Sequence, residues 1–122
     1  MGIKPKSMID LKVIPIRGDR RWEVVFKENA RWQCGIYVPE NKSLDDVKFL
    51  EKHNAPELFM LIEGNIALVL MNEKGKLQEV PMEKGKVYIV NTWHNAYRPE
   101  GGKGIALVIE RPDIKTEYKY LK

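Results

Sequence analysis

Two histidines, His53 and His94, are the only imidazoles in the chain, and each stands beside a turn that borders an apolar run. Neutral imidazole is the commonest metal ligand and the commonest general base near neutral pH. His53 is followed four positions on by Glu57, which heads the run Glu57-Leu58-Phe59-Met60-Leu61-Ile62. A carboxylate buried in such a run is costly unless it is paired, protonated or metal-bound. Phe59 and Leu61, on the parity of Glu57, would then line the floor of a pocket. If the fold brings both rings to Glu57, the chain has one site. Its proton chemistry would use His94 as base, with Glu57 as its orienting partner or acid. Trp93, Tyr97 and Arg98 share the loop of His94. They are candidate substrate contacts with Phe59: a Trp can stack on a sugar or flat ring, and Arg98 offers a planar fork for carboxylate or phosphate.

The elements that must position these residues read as short strands. Leu11–Ile16 is a candidate strand that Pro15 places at an edge. Trp22, Val24 and Phe26 alternate with Glu23, Val25 and Lys27, and Trp32–Val38 follows after Asn29-Ala30. Cys34 sits there on the parity of Trp32, Ile36 and Val38 and reads as a small buried hydrophobe. Ser43 could cap a short helix over 44–50, while Val47, Phe49 and Glu51 alternate as a strand would, and both readings stay open. From Glu57 onward the runs Glu57–Ile62, Ile66–Met71, Leu77–Met82, Val87–Val90 and Ile105–Ile109 alternate with Gly-bearing turns about every ten residues. That spacing predicts an all-β sandwich or barrel. Four of these runs are apolar on both parities, so both faces need cover, and a homodimer is expected to supply part of it. The polar tail, 112–122, is expected to strap across the outside.

The stretch His53-Asn54-Ala55-Pro56-Glu57, six residues, then Gly64 resembles the second half of the first cupin motif, His-x-His, three or four residues, Glu, six residues, Gly. The second motif opens with Gly, here Gly85, and its histidine corresponds to His94. The resemblance covers residues 49–110 well and the N-terminal strands by general pattern. It implies an all-β, double-stranded β-helix (cupin-type jelly-roll) barrel as one domain over 1–122. Within it, 1–40 would supply N-terminal strands, 49–110 the motif core and 111–122 the strap. Glu51 stands where the first motif histidine belongs. The second motif is shortened, with Asn91 and Trp93 in place of its Pro and Gly and Arg98 in place of its terminal Asn. The metal set that the resemblance implies is therefore Glu51, His53, Glu57 and His94. Two histidines and carboxylates of this kind suit one divalent transition metal, Fe, Mn, Zn or Ni.

Composition bounds the alternatives. No run approaches the ~20 apolar residues of a membrane span, and Met1–Ser7 lacks the apolar core of a secretion signal. One cysteine excludes an internal disulfide and agrees with a reducing compartment, so a cytoplasmic protein is expected. The +4 net charge is confined to residues 1–22, where Lys4, Lys6, Lys12, Arg17, Arg20 and Arg21 face only Asp10 and Asp19. A nucleic-acid module spreads such charge along a groove, so nucleic acid is not an expected partner. Three readings remain open. The first is a metal-dependent enzyme on a small hydroxy acid, keto acid or sugar, as a lyase, isomerase or oxygenase. The second is a metal-free lyase or isomerase, and the third a non-catalytic module binding a sugar or carboxylate.

Overall fold

A computed structural model describes residues 10–121. The runs bounded by turn residues become ten strands: β1 (Trp22–Glu28), β2 (Trp32–Tyr37), β3 (Phe49–His53), β4 (Glu57–Gly64), β5 (Ala67–Met71), β6 (Leu77–Pro81), β7 (Val87–Val90), β8 (His94–Tyr97), β9 (Gly104–Glu110) and β10 (Thr116–Tyr120). They form two antiparallel five-stranded sheets, ordered β1-β2-β9-β4-β7 and β10-β3-β8-β5-β6. Consecutive strands repeatedly change sheet, as a jelly roll requires.

Alternation sets which side chains enter the space between the sheets. In the first sheet Gly35 pairs with Val108, Val108 with Phe59 and Phe59 with Tyr88, giving one inward row. Phe59, Leu61, Ile66, Leu68, Val90, Ala106 and Val108 are buried in the main core. Gly35 belongs to that row because the Trp22 indole lies where its side chain would be. The outer face of the second sheet has its own small core, in which Val47, Leu50 and Val69 are buried against Leu44, Met71, Trp93, Tyr97 and Leu121. Gly64, at the β4–β5 turn, has φ +76°, and a Cβ there would run into the Lys103 carbonyl. That carbonyl accepts the Asn65 N–H at 2.8 Å, so glycine is required to close the turn.

Several expectations change. Leu11–Ile16 forms no strand, and Leu11 and Val13 are largely exposed. Part of the basic N-terminal segment, residues 1–9, lies outside the described residues, as does Lys122 of the tail. A bulge between Val24 and Phe26 breaks the simple alternation of β1, so Val24 is exposed. Residues 44–50 split between the two readings: a single 3-10 turn at Leu44–Asp46, without a Ser43 side-chain cap, then β3 from Phe49. The tail contains a regular strand, exposed along most of its length. Its β10 pairs with β3 as an edge strand, Thr116 opposite His53 and Tyr118 opposite Glu51. Cys34 is half-buried on the outer face of the first sheet, and burial pushes its thiol pKa up.

Candidate functional site

Register brings the chemistry-bearing residues to one end of the barrel. In the second sheet Glu51 pairs with His94, and His94 with Leu70. In the first sheet Gln33 pairs with Glu110 and Glu57 with Val90. Because Leu58 pairs with Ile109, Glu57 falls opposite Glu110 one step further along. Both rows face inward, so the histidines of one sheet meet the carboxylates of the other.

Glu57 is the centre. Its Oε1 lies 2.8 Å from His53 Nε2 and 3.0 Å from His94 Nε2. All three side chains are less than a tenth exposed. His94 Nδ1 stands 2.8 Å from the Thr92 carbonyl, which can only accept, so Nδ1 carries a proton. In the neutral ring, Nε2 then presents a bare lone pair to an anionic oxygen. His53 Nδ1 contacts Thr116 Oγ1 at 2.9 Å, which fixes that ring with Nε2 turned to the same oxygen. Glu51 Oε2 is 4.0 Å from His53 Nε2. The distances are those of close ion pairs, yet Oε1 of Glu57 has no aligned hydrogen bond. A buried carboxylate oxygen in that state needs an explanation.

The electrostatics follow from this packing. Burial alone would raise the Glu57 carboxyl, but the two rings outweigh it and hold the pKa well below the ordinary range. For His53, burial pulls downward and loses to the Glu57 contact and the charges of Glu57, Glu51 and Glu110, so its pKa rises. Glu110 moves the other way. Burial and then the neighbouring Glu57 raise it, opposed by Gln33, whose amide donates to Glu110 Oε2 at 2.6 Å. Tyr37 is held protonated by burial and by the charge of Glu51, opposed by Arg21.

The donor set fits a metal ion. Glu51, His53 and His94 present ligand atoms within 4.8 Å of one another. Glu57 Oε1 is closer still to both rings. Atoms that each lie about 2.1 Å from one ion, at right angles, are about 3 Å apart. The unaligned Oε1 and the inward Nε2 lone pair match that requirement. His53, Glu57 and His94 would hold such an ion, with Glu51 beside them. A cavity of about 550 Å³ opens in front, walled by Trp22, Tyr37, Phe49, Phe59 and Tyr118.

Of the candidate substrate contacts, the structure brings only Phe59 to the cavity. His94 and Ala96 are buried on the inward face of β8, while Tyr97 packs against the outer core. Trp93 packs in the outer core, with the amines of Lys52 and Lys119 at 6.0 and 4.9 Å from its ring centre. The Tyr97 hydroxyl donates to Glu79, outside the cavity. Arg98 is spent on the chain itself, donating to the carbonyls of Pro39, Gly101 and Gly102. None of these three lines the cavity, contrary to the expectation from the sequence. Gln33, Glu110 and Thr116 went unnoticed in the sequence. Glu110 ends its strand on the parity of Ala106 and Val108, the one local signal that it turns inward.

No family model matches the sequence, and no curated protein matches it. Among solved structures, the barrel is similar to a cupin-2 domain protein from Shewanella frigidimarina, with TM-score 0.56 and 16% identity over 74% of this chain and 78% of that one. It is also similar to hydroxypropylphosphonic acid epoxidase from S. wedmorenis in complex with fosfomycin, with TM-score 0.56 and 17% identity over 90% and 66%. A cobalt(II) form of HppE with substrate gives TM-score 0.59 and 20% identity over 87% and 63%. The chain spans just under two thirds of those enzymes. At these identities the likeness is one of fold, the double-stranded β-helix barrel that the motifs imply.

Proposed function

We propose that this cupin barrel holds one divalent transition metal through His53, Glu57 and His94 and acts on a small polar metabolite bound in the cavity before them. The observation that carries the reading is the buried Glu57 oxygen between two imidazole nitrogens at 2.8 and 3.0 Å, without an aligned hydrogen bond. Solved HppE structures contain Co(II) or Fe(II) in a similar barrel, which supports a metal of the Fe, Mn, Zn or Ni group. When bound, such an ion supplies Lewis acidity at a substrate oxygen. The protein side chains do the rest. Thr116 and the Thr92 carbonyl orient the two rings, the aromatic walls exclude water, and Glu51, beside the ligands, accepts or returns a proton. The reaction class is a lyase, isomerase or oxygenase step on a hydroxy acid, keto acid or sugar.

Metal analysis of untagged protein tests the reading. Stoichiometric transition metal lost in both His53→Ala and His94→Ala is expected; purified protein that takes up none on addition of Fe(II), Mn(II), Zn(II) or Ni(II) would overturn it.

A second reading rests on the Thr92 contact. With Nδ1 held as donor by the Thr92 carbonyl, His94 Nε2 can act as base toward a ligand without any metal, with Glu57 Oε1 3.0 Å away to take up or return the proton. A second copy of the chain as partner is supported by the outer face of the first sheet, where Val87, Ile89 and Trp32 are exposed. Solution scattering of a monodisperse monomer at high concentration would exclude it. A cytoplasmic location rests on the lone cysteine. Among the described residues, no helix is long and apolar enough to cross a membrane.

A further inference from the structure

The cavity's charge and its walls ask for a particular kind of ligand. The chain carries 21 Lys and Arg and a net charge of +4. Among the described residues, only Arg21 of all these cations lines the cavity, against Glu40, Glu51, Glu57 and Glu110. Arg21 is already engaged, its Nε 3.0 Å from Glu40 Oε1. Glu57 is matched by the two rings, and Glu110 by the Gln33 amide. Glu51 has only the edge of His53, 4.0 Å away. Among the described residues, four carboxylates therefore share the cavity with one arginine that is itself paired to Glu40, and carboxylates supply most of the polar acceptors.

The apolar lining is aromatic and comes from both sheets. Trp22 and Tyr37 stand on the first sheet, Phe49 and Tyr118 on the second. Phe49 and Tyr118 meet edge to face at 5.6 Å and 69°, and both line the cavity. Tyr37 and Phe59 do the same on the floor at 6.3 Å and 70°. Aromatic faces on opposite walls favour a ligand with a ring of its own. Carboxylate acceptors beside them favour hydroxyl donors.

We propose that the cavity selects an uncharged ring compound bearing hydroxyl groups, of aryl or sugar type, over anions of the same size. The proposal rests on the preceding reading that this cavity is the ligand site, and it narrows that reading away from hydroxy and keto acids. A ligand carboxylate about 6 Å from one uncompensated protein carboxylate would lose roughly tenfold or more in affinity relative to its alcohol.

The test is an NMR titration of ¹⁵N-labelled protein with four probes, benzyl alcohol, methyl glucoside, benzoate and phenylphosphonate, both as purified and after chelation. Benzyl alcohol or methyl glucoside is expected to shift the amides of β3 and β10, and whichever binds identifies the ring type. Benzoate and phenylphosphonate are expected to bind at least ten times more weakly, in both states. Phe49→Ala or Tyr118→Ala should weaken the neutral probe about fivefold. Glu40→Gln, which removes one cavity carboxylate and the partner of Arg21, should raise benzoate affinity severalfold relative to the neutral probe. Anions binding as tightly as the neutral probes, or no probe binding at all, would overturn the proposal. Metal content is measured separately, so neutral selectivity in a protein that takes up no metal sinks only the metal reading. Metal uptake with benzoate preferred sinks only this one.

Discussion

Truncating His53 is the sharpest probe of the central cluster. The ring is 8% exposed, with Nε2 2.8 Å from Glu57 and Nδ1 2.9 Å from Thr116. His53→Ala removes one of two cationic or metal-holding partners of a buried carboxylate and leaves Thr116 facing a gap. Breaking a buried charged pair costs about 3–5 kcal/mol. His94 stays at 3.0 Å and retains part of the compensation, so about 2–3 kcal/mol is expected for metal-stripped protein. At roughly 4 °C per kcal/mol for a domain of this size, Tm should fall by about 8–12 °C. Excess divalent metal should then separate the two proteins further. At a hundred times its dissociation constant, a metal stabilises the wild type by about 2.7 kcal/mol, while the variant should gain little. Calorimetry or urea unfolding with and without chelator reads both effects. A loss below about 0.5 kcal/mol in chelated protein, or equal metal stabilisation of variant and wild type, would refute the reasoning.

Three further outcomes follow from the same geometry. Metal-stripped protein should be most stable on the acid side of neutrality. Glu110, raised to about 7, and His53, also raised, contribute stability that is full below their unfolded pKa values and lost as pH rises through the folded ones. Glu57, lowered, contributes stability present above its ordinary value and lost as pH falls further. Urea midpoints measured from pH 3 to 9 check this, and a stability that rises steadily from pH 5 to 9 would contradict it. Gly64→Ala should cost about 3 kcal/mol or more, because φ is +76° and the Cβ meets the Lys103 carbonyl, and denaturant unfolding reads the loss. Trp93→Phe should leave cavity binding of any ligand within about twofold, since the indole packs in the outer core. A larger loss in a binding titration would return Trp93 to the site.

The site's location was legible in the chain because its parts are local. Glu51, His53, Glu57 and Gly64 stand at spacings that a strand, a tight turn and a second strand convert directly into position. His94 follows a strand whose bounds, Val87–Val90, coincide with the apolar run. The residues flanking it are placed away from the cavity because proximity in sequence does not fix direction: one step along a strand reverses the face. Trp93 and Tyr97 therefore point into the outer core while His94 points inward.

What the sequence by itself determined is the all-β architecture and the residues that meet at its centre, since period-two patterning and glycine turns act within a few residues. Only the tertiary structure decided what surrounds that centre. Glu110 reaches Glu57 through the pairing of β9 with β4, Thr116 reaches His53 through β10, and Trp22 covers Gly35 from β1. Those contacts join segments fifty or more residues apart or depend on a bulge, and registers of that kind are set by packing the two sheets together. The clustering of carboxylates at the cavity emerges only there.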